Sequence, residues 1–292
     1  MENNLSDKNE NKDRKGRGVS HSKIILMGEH SVVYGYPAIA IPLKNIRMEC
    51  IVERATVPFV HNKKDTLSTA IYTALNYLNR KNENIKYKVI SDIPPKRGMG
   101  SSAAVSIAAI RGVLDYFNTE VDNLTLEKLV NEAEIIAHNT PSGLDAKTCL
   151  SDSAIKFIKN KGFKNLEMNL GAYLLIADTG IHGHTRDAIM NIKNMGGRAL
   201  PMLEKLGKLT EETEKFIEEK DVINIGKNMI SAHGELKKLG VSIEKSDVLV
   251  KTAIDEGAYG AKMSGGGLGG CIIALMESRE KAEMTGKKLM EK

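Results

Sequence analysis

Tryptophan is absent from this 292-residue chain, and aromatic residues make up only 4% of it. So few rings offer no stacking platform for a single-stranded nucleic acid. Cysteine is scarce too: Cys50, Cys149 and Cys271 are scattered, odd in number and form no CxxC pair. That pattern argues against a disulfide framework and a zinc site, and it favours a reducing, cytoplasmic setting. Long apolar runs are missing, the longest being Ala38–Pro42, Ala172–Ala177 and Cys271–Met276. None approaches the roughly 18 residues that would cross a bilayer. The first residues are polar, without the apolar stretch of a secretory signal, so none is expected. A dominant charge is lacking as well. The chain has 42 basic and 37 acidic residues, a net +5 spread along its length. This predicts neither a nucleic-acid nor a membrane partner.

What is present suits a soluble globular protein, 41% hydrophobic and 27% charged, and long enough for about two domains. Residues 1–18 read as a disordered tail whose only sizeable apolar groups are Met1 and Leu5. From Val19 the patterning is mixed α and β. Strands are predicted at Ile24–Met27, Ala38–Leu43, Ile46–Ala55 and Ile85–Ser91. Helices are predicted at Thr66–Leu78, Ser101–Phe117 and Leu124–His138, followed by a turn-rich segment, Pro141–Ser153. A strand at Tyr173–Ala177 leads into a charged helical region, Thr185–Gly240, with breaks expected near Gly196-Gly197 and Gly207. A helix at Lys245–Glu256, strands at Ala261–Met263 and Cys271–Met276, and a helix at Ser278–Glu291 complete the chain. The boundary is expected near residue 168, giving domains at 19–168 and 169–292.

Four segments carry chemistry. In Pro94-Pro-Lys-Arg-Gly-Met-Gly-Ser-Ser-Ala-Ala104 a strand reaches a helix through two glycines and two serines. The free amides and positive end of that helix suit an anion, the glycines admit phosphate oxygens, and the hydroxyls offer hard oxygen ligands. It is neither a Walker A loop nor GxGxxG; a plain glycine-serine cap would share its spacing. In Lys262–Cys271 five glycines lie between two strands. A simple hairpin needs one or two, so a backbone surface approached closely by a ligand is the favoured reading. Glu134 sits at the edge of the apolar stripe of its helix, and Asp145 follows a Pro-Ser-Gly turn. Taken alone, each reads as a solvated or capping carboxylate. Together with the loops they supply what phosphoryl transfer needs: oxygen ligands for Mg²⁺ and a base for a hydroxyl. The fourth segment runs from Lys23 into Gly28-Glu29-His30, polar groups at a strand end that can orient a small ligand.

In this order, KIILMGEHSVVYGYPA (Lys23–Ala38), PPKRGMGSSAA and KMSGGGLGG resemble the three motifs of the GHMP small-molecule kinases. GEHSVVYG points to the branch that phosphorylates mevalonate. Asn131–Cys149 and Ala177–Ile189 resemble its Gram-positive bacterial form. The resemblance implies an α+β fold of two domains, the first ribosomal-protein-S5-like and the second ferredoxin-like, with ATP and substrate meeting in the cleft between them. It implies transfer of the γ-phosphate of ATP to the terminal hydroxyl of (R)-mevalonate, with Mg²⁺ as cofactor.

By the same resemblance Asp145 is the general base, with Lys23 beside the reacting hydroxyl. Glu134 and Ser102 are the metal ligands, Ser101 being the alternative to Ser102. The phosphate loop comprises Pro95, Lys96, Arg97, Gly98, Met99, Gly100, Ser101, Ser102, Ala103 and Ala104. Glu29, His30, Thr185, Gly265, Gly266 and Gly267 lie near the substrate. The family includes monomers and homodimers, and many members are inhibited by isoprenoid diphosphates, for which Lys23, Lys96, Arg97 and Arg186 are candidate contacts. Relatives usually add a short strand after the last helix, whereas this chain stops at Lys292, which predicts a weaker C-terminal sheet edge. A sister kinase of the family and a non-catalytic binding protein are the competing readings.

Overall fold

The computed structural model describes residues 14–138 and 143–292. Residues 1–13 of the expected tail lie outside the described residues. The chain divides into two compact units, and the division interleaves the sequence. One unit comprises the described residues up to Ser22, with Leu43–Ile93 and Gly100–Leu150. The other comprises Lys23–Pro42, Pro94–Met99 and Ser151–Lys292.

The first unit contains the start of β1 (Lys15–Met27), most of β2 (Ala38–Arg54), α1 (Thr66–Tyr77), β3 (Ile85–Ser91), α2 (Ser101–Tyr116), α3 (Asn123–His138) and α4 (Leu144–Cys149). β2 pairs with β1, and its C-terminal half pairs antiparallel with β3, from Met48 opposite Ser91 to Arg54 opposite Ile85. Asp65 starts α1 by accepting the Ser68 amide hydrogen at 2.7 Å, the expected N-cap bond. α2 is the central helix, with eleven of its sixteen residues buried, as its nearly all-round apolar pattern requires.

The tail expectation fails at its end, because Lys15–Gly18 belong to β1. Composition missed this since the strand is held by tertiary contact. A Cβ on Gly18 would lie 2.0 Å from the Ala108 carbonyl oxygen of α2, so strand and helix backbones touch there. Arg17 adds an ion pair to Glu49 at 3.1 Å. The turn-rich segment also holds a short helix, α4, that the sequence reading lacked.

The second unit contains the end of β1, the start of β2, a 3₁₀ turn at Ser31–Tyr34, and the hairpin β4 (Ala154–Ile158) and β5 (Gly162–Leu166). β4 runs antiparallel to the start of β2, Ala38 opposite Phe157. The hairpin was not anticipated, its five-residue strands being too short and too charged to show alternation. β6 (Tyr173–Asp178), α5 (Thr185–Met195), α6 (Leu200–Glu218), α7 (Val222–Lys238), α8 (Glu244–Asp255), β7 (Gly260–Ser264), β8 (Cys271–Met276) and α9 (Arg279–Met290) follow. Their three strands form an antiparallel sheet in the order β6-β8-β7. Its core includes Leu249, Ala253, Ala261, Ile272, Ala274 and Met276.

The break expected at Gly196-Gly197 is present, with Gly196 closing α5. The one expected at Gly207 is not: α6 runs through it. A Cβ at Gly207 would sit 2.4 Å from Tyr36 Cδ1, so this glycine serves helix packing and not chain reversal. The helix ends instead at Glu219, and Asp221 caps α7 by accepting the Asn224 amide hydrogen.

α7 and β7 meet backbone to backbone. A Cβ on Gly226 would lie 2.2 Å from the Tyr259 carbonyl oxygen, and one on Gly260 would lie 2.0 Å from the Gly226 carbonyl oxygen. Gly234, in the same helix, has no heavy atom within 4 Å of its Cβ position. Helix propensity favours alanine at both positions by up to about 1 kcal/mol. Gly226→Ala is nevertheless expected to destabilise the protein by about 1–3 kcal/mol through overpacking, while Gly234→Ala stabilises it. Urea denaturation of the two variants checks both signs.

Candidate active site

β1 brings Lys23 to the second unit and the strand ends at Gly28-Glu29-His30. Lys23 is 1% exposed. Its Nζ donates to the Gly98 carbonyl at 3.3 Å, and its amide donates to the Met99 carbonyl at 3.1 Å. Glu29 is fully buried, and its Oε1 accepts from Nζ of Lys262, also fully buried. Lys262 donates as well to the Met263 carbonyl at 2.7 Å. His30 has φ +61°, a left-handed backbone rare for a residue with a side chain, and its ring bonds to the backbone of Gly266. Ser264 ties the strands together, donating to the Ile25 carbonyl at 2.9 Å and accepting the Ile25 amide hydrogen at 3.0 Å.

Two glycine segments meet in this unit. A Cβ on Gly98 would lie 2.8 Å from the Ser264 carbonyl oxygen, and one on Gly265 would lie 2.7 Å from Gly98 Cα. A Cβ on Gly266 would overlap Thr185 Oγ1 at 1.9 Å. Side-chain-free approach of protein to protein therefore accounts for glycine here, a cause that the sequence reading did not weigh beside hairpin and ligand. Thr185 and His30 converge on Gly266 as a result. Positive φ recurs at Lys96, Gly98 and Gly100, an alternation that turns successive amides toward one side, as in anion-binding nests. Pro95 and Lys96 are exposed and Met99 is buried. Arg97 donates from Nε to Asp178 at 2.6 Å, so its charge is already countered.

The first unit holds the remaining candidates. Gly100 precedes α2 in a left-handed conformation and gives it no side-chain cap. Ser101 and Ser102 open that helix half-buried, while Ala103 and Ala104 are buried. Ser102 Oγ donates to Glu134 Oε1 at 2.7 Å, and Ser106 Oγ donates to the same atom at 3.3 Å. Glu134 is 2% exposed, so it is a buried acceptor and not a solvated helix residue. Of the two serines left open by the sequence, Ser102 is the one paired with it. Asp145 lies half-buried in the first turn of α4. The structure thus gathers Lys23, Glu29, His30, Thr185, Pro95–Met99 and Gly265–Gly267 in one unit, and Gly100–Ala104, Glu134 and Asp145 in the other.

Sequence reasoning missed Lys262 and Ser106. The signal for Lys262 was available: a lysine in the middle of an apolar strand must find an anion. Burial raises the Glu29 carboxyl above its ordinary range, against the opposing pull of Lys262 and Lys23. Burial likewise lowers Lys262, opposed by Glu29. His30 is pushed down to about 4, first by burial and then by the Lys262 charge. Its imidazole is therefore neutral at pH 7. The Gly266 backbone works against this shift.

One unit carries a phosphate-suited helix start with a paired serine and carboxylate, the other carries a buried lysine-carboxylate-histidine group, and these are the parts a small-molecule phosphotransferase requires. The N-terminal domain model of the GHMP kinases matches residues 68–152, and the C-terminal domain model of the same family matches residues 213–289. The chain belongs to the GHMP kinases. It is 32% identical to the mevalonate kinase of Pyrococcus furiosus over 90% of each sequence. The solved mevalonate kinase of Methanococcus jannaschii matches 96% of each chain at 25% identity, with a TM-score of 0.83. The Leishmania major (L. major) enzyme, solved with R-mevalonate, has the same fold, with a TM-score of 0.84 at 24% identity over 95% of this chain and 92% of its own. The two-domain α+β expectation agrees with these likenesses. They do not single out the Gram-positive form.

His30 also sets a pH dependence. With a folded value near 4 and an ordinary value of 6.5, the unfolded chain binds the extra proton first as pH falls. Stability due to neutral His30 is full above pH 6.5 and is lost progressively toward pH 4, about 3 kcal/mol in all. His30→Gln is expected to lose about that much less across this window, as measured by urea denaturation at pH 7 and pH 4.

Proposed function

We propose that this enzyme transfers the γ-phosphate of ATP to the terminal hydroxyl of (R)-mevalonate, giving 5-phosphomevalonate and ADP on the route to isoprenoids. The observation that carries the substrate assignment is the placing of Lys23 against Gly98, Glu29 against Lys262, and Thr185 and His30 against Gly266 within one unit, in a chain whose relatives are mevalonate kinases. Asp145 takes the hydroxyl proton as general base. Lys23 sits beside that hydroxyl and favours the ionised forms around it by its charge. Glu29, His30, Thr185 and Gly265–Gly267 position the substrate. The loop from Pro95 to Ala104 holds the phosphates through backbone amides, its alanines being buried.

The residues present fit Mg²⁺. Ser102 and Glu134 bring two hard oxygens within 2.7 Å of each other, and this ion is commonly held by one or two protein oxygens together with substrate phosphates. When bound by them it would neutralise charge on the transferring phosphate. The matched family models lie on either side of residue 168, which supports domains at 19–168 and 169–292. No helix among the described residues is long and apolar enough to cross a membrane. That observation and the scattered, buried cysteines support a cytoplasmic setting. Isoprenoid diphosphates are proposed as feedback inhibitors, with Lys23, Lys96 and Arg186 as contacts. A monomer and a homodimer both accord with this reading.

A substrate panel of mevalonate, phosphomevalonate, homoserine and galactose with Mg-ATP, read by coupled ADP release, is expected to favour mevalonate. Faster turnover of another member would overturn the assignment. Asp145→Asn is expected to lower kcat by about 10²–10⁴-fold with ATP binding retained. Near-normal turnover would remove Asp145 from the role of base.

A further inference from the structure

Besides Arg97 Nη1, two polar atoms of the second unit are buried and have no hydrogen-bond partner: Glu29 Oε2 and His30 Nε2. Unpaired buried polar atoms cost free energy, and native proteins keep few of them outside functional sites. These two belong to consecutive residues, and one strand-loop segment grips both. Lys262, in β7, holds the other oxygen of Glu29. Gly266, four residues on, engages the His30 ring. A neutral imidazole carries one acceptor nitrogen, here assigned to the unpartnered Nε2. Glu29 Oε2 is an acceptor as well. Two adjacent acceptors suit hydroxyl groups and repel a carboxylate.

Lys262 is the only cation hydrogen-bonded to Glu29 among the described residues, and it is wholly enclosed. A surface lysine could not fix a side chain in this way, because both partners would remain mobile and solvated. Ser264, two residues along the same strand, docks the strand onto the Ile25 backbone from both sides. The lysine therefore stands at a fixed place relative to β1 and the turn that ends it.

We propose that Lys262 is a positioning residue for the phosphoryl acceptor: it clamps Glu29 so that Glu29 Oε2 and His30 Nε2 form one acceptor pair for the substrate's hydroxyl groups. This rests on the proposed function and deepens it. Lys262 is wholly enclosed, and it acts through Glu29.

The test is a double-mutant cycle on the full chain with Mg-ATP and (R)-mevalonate. Lys262→Met is expected to raise the KM for mevalonate by about ten-fold, the loss of one well-made hydrogen bond, with the KM for ATP changed less than about two-fold. Glu29→Gln should give a similar rise. In the Glu29→Gln background, Lys262→Met should then add less than about two-fold, because one route is lost twice. Where Lys262→Met alone does not fold, the double variant, which removes both charges together, still reports the split. Lys262→Arg, which keeps the charge at a different reach, should raise the mevalonate KM more than that for ATP. An unchanged mevalonate KM in folded variants, an equal rise for ATP, or simple additivity of the two substitutions would overturn the role. A wild-type enzyme inactive on mevalonate would refute the function reading instead, and an active wild type with indifferent Lys262 variants would refute the lysine alone.

Discussion

The second unit depends on backbone meeting backbone with no side chain between. Gly98 lies against Ser264 and Gly265, and Gly226 lies against Tyr259 and Gly260. Each contact is closer than a Cβ permits, and Gly98 and Gly265 also have positive φ, so at those two the neighbour and the local turn both call for glycine. The consequence is chemical as well as mechanical. Segments far apart in the sequence come near enough for the Lys23 ammonium to reach the Gly98 carbonyl, 75 residues on, and for Gly266 to act on the His30 ring. A bulkier backbone spacing would leave the same side chains too far apart to act together.

That closeness creates an electrostatic problem, which the Glu29–Lys262 pair resolves. Removing a charge from water costs several kcal/mol unless a partner and further hydrogen bonds compensate. Lys262 has Glu29 and the Met263 carbonyl, and Lys23 has the Gly98 carbonyl. His30 avoids the cost by staying neutral. A buried ion pair is weak support for stability in its own right, so its presence here accords better with placement than with strength.

The sequence made the chemistry more legible than the shape. The helices at Thr66, Ser101 and Asn123 and the strand at Ile85 were readable from their periodicity, because each buries one regular face. Motif order exposed Lys23, Glu29, His30 and Ser102, since glycine loops and paired hydroxyls carry local signals. Long-range causes carried none. Gly18 reads as tail until Ala108 is seen beside it, and Gly207 reads as a break until Tyr36 is seen against it. Glu134 looked like a stripe-edge carboxylate, because periodicity gives its angle but not Ser102 and Ser106 above it. Lys262 shows in sequence only that a strand lysine needs an anion and not which one, since Glu29 lies 233 residues earlier.

That separation bears on how stability and activity are linked. Contacts between distant parts of a chain form only after the intervening segments are ordered, since their loop entropy is spent before the contact repays it. Lys262 follows Gly260 by two residues in β7, and Gly260 is where α7 touches that strand. The seating of α7 therefore fixes the strand that carries the lysine, and Ser264 fixes the strand's other end on β1. A substitution that loosened the α7 contact would be felt at Glu29 through the strand, without altering any residue near the phosphates. Packing and chemistry are in this sense one property of β7: the same five buried residues close the sheet and deliver the cation.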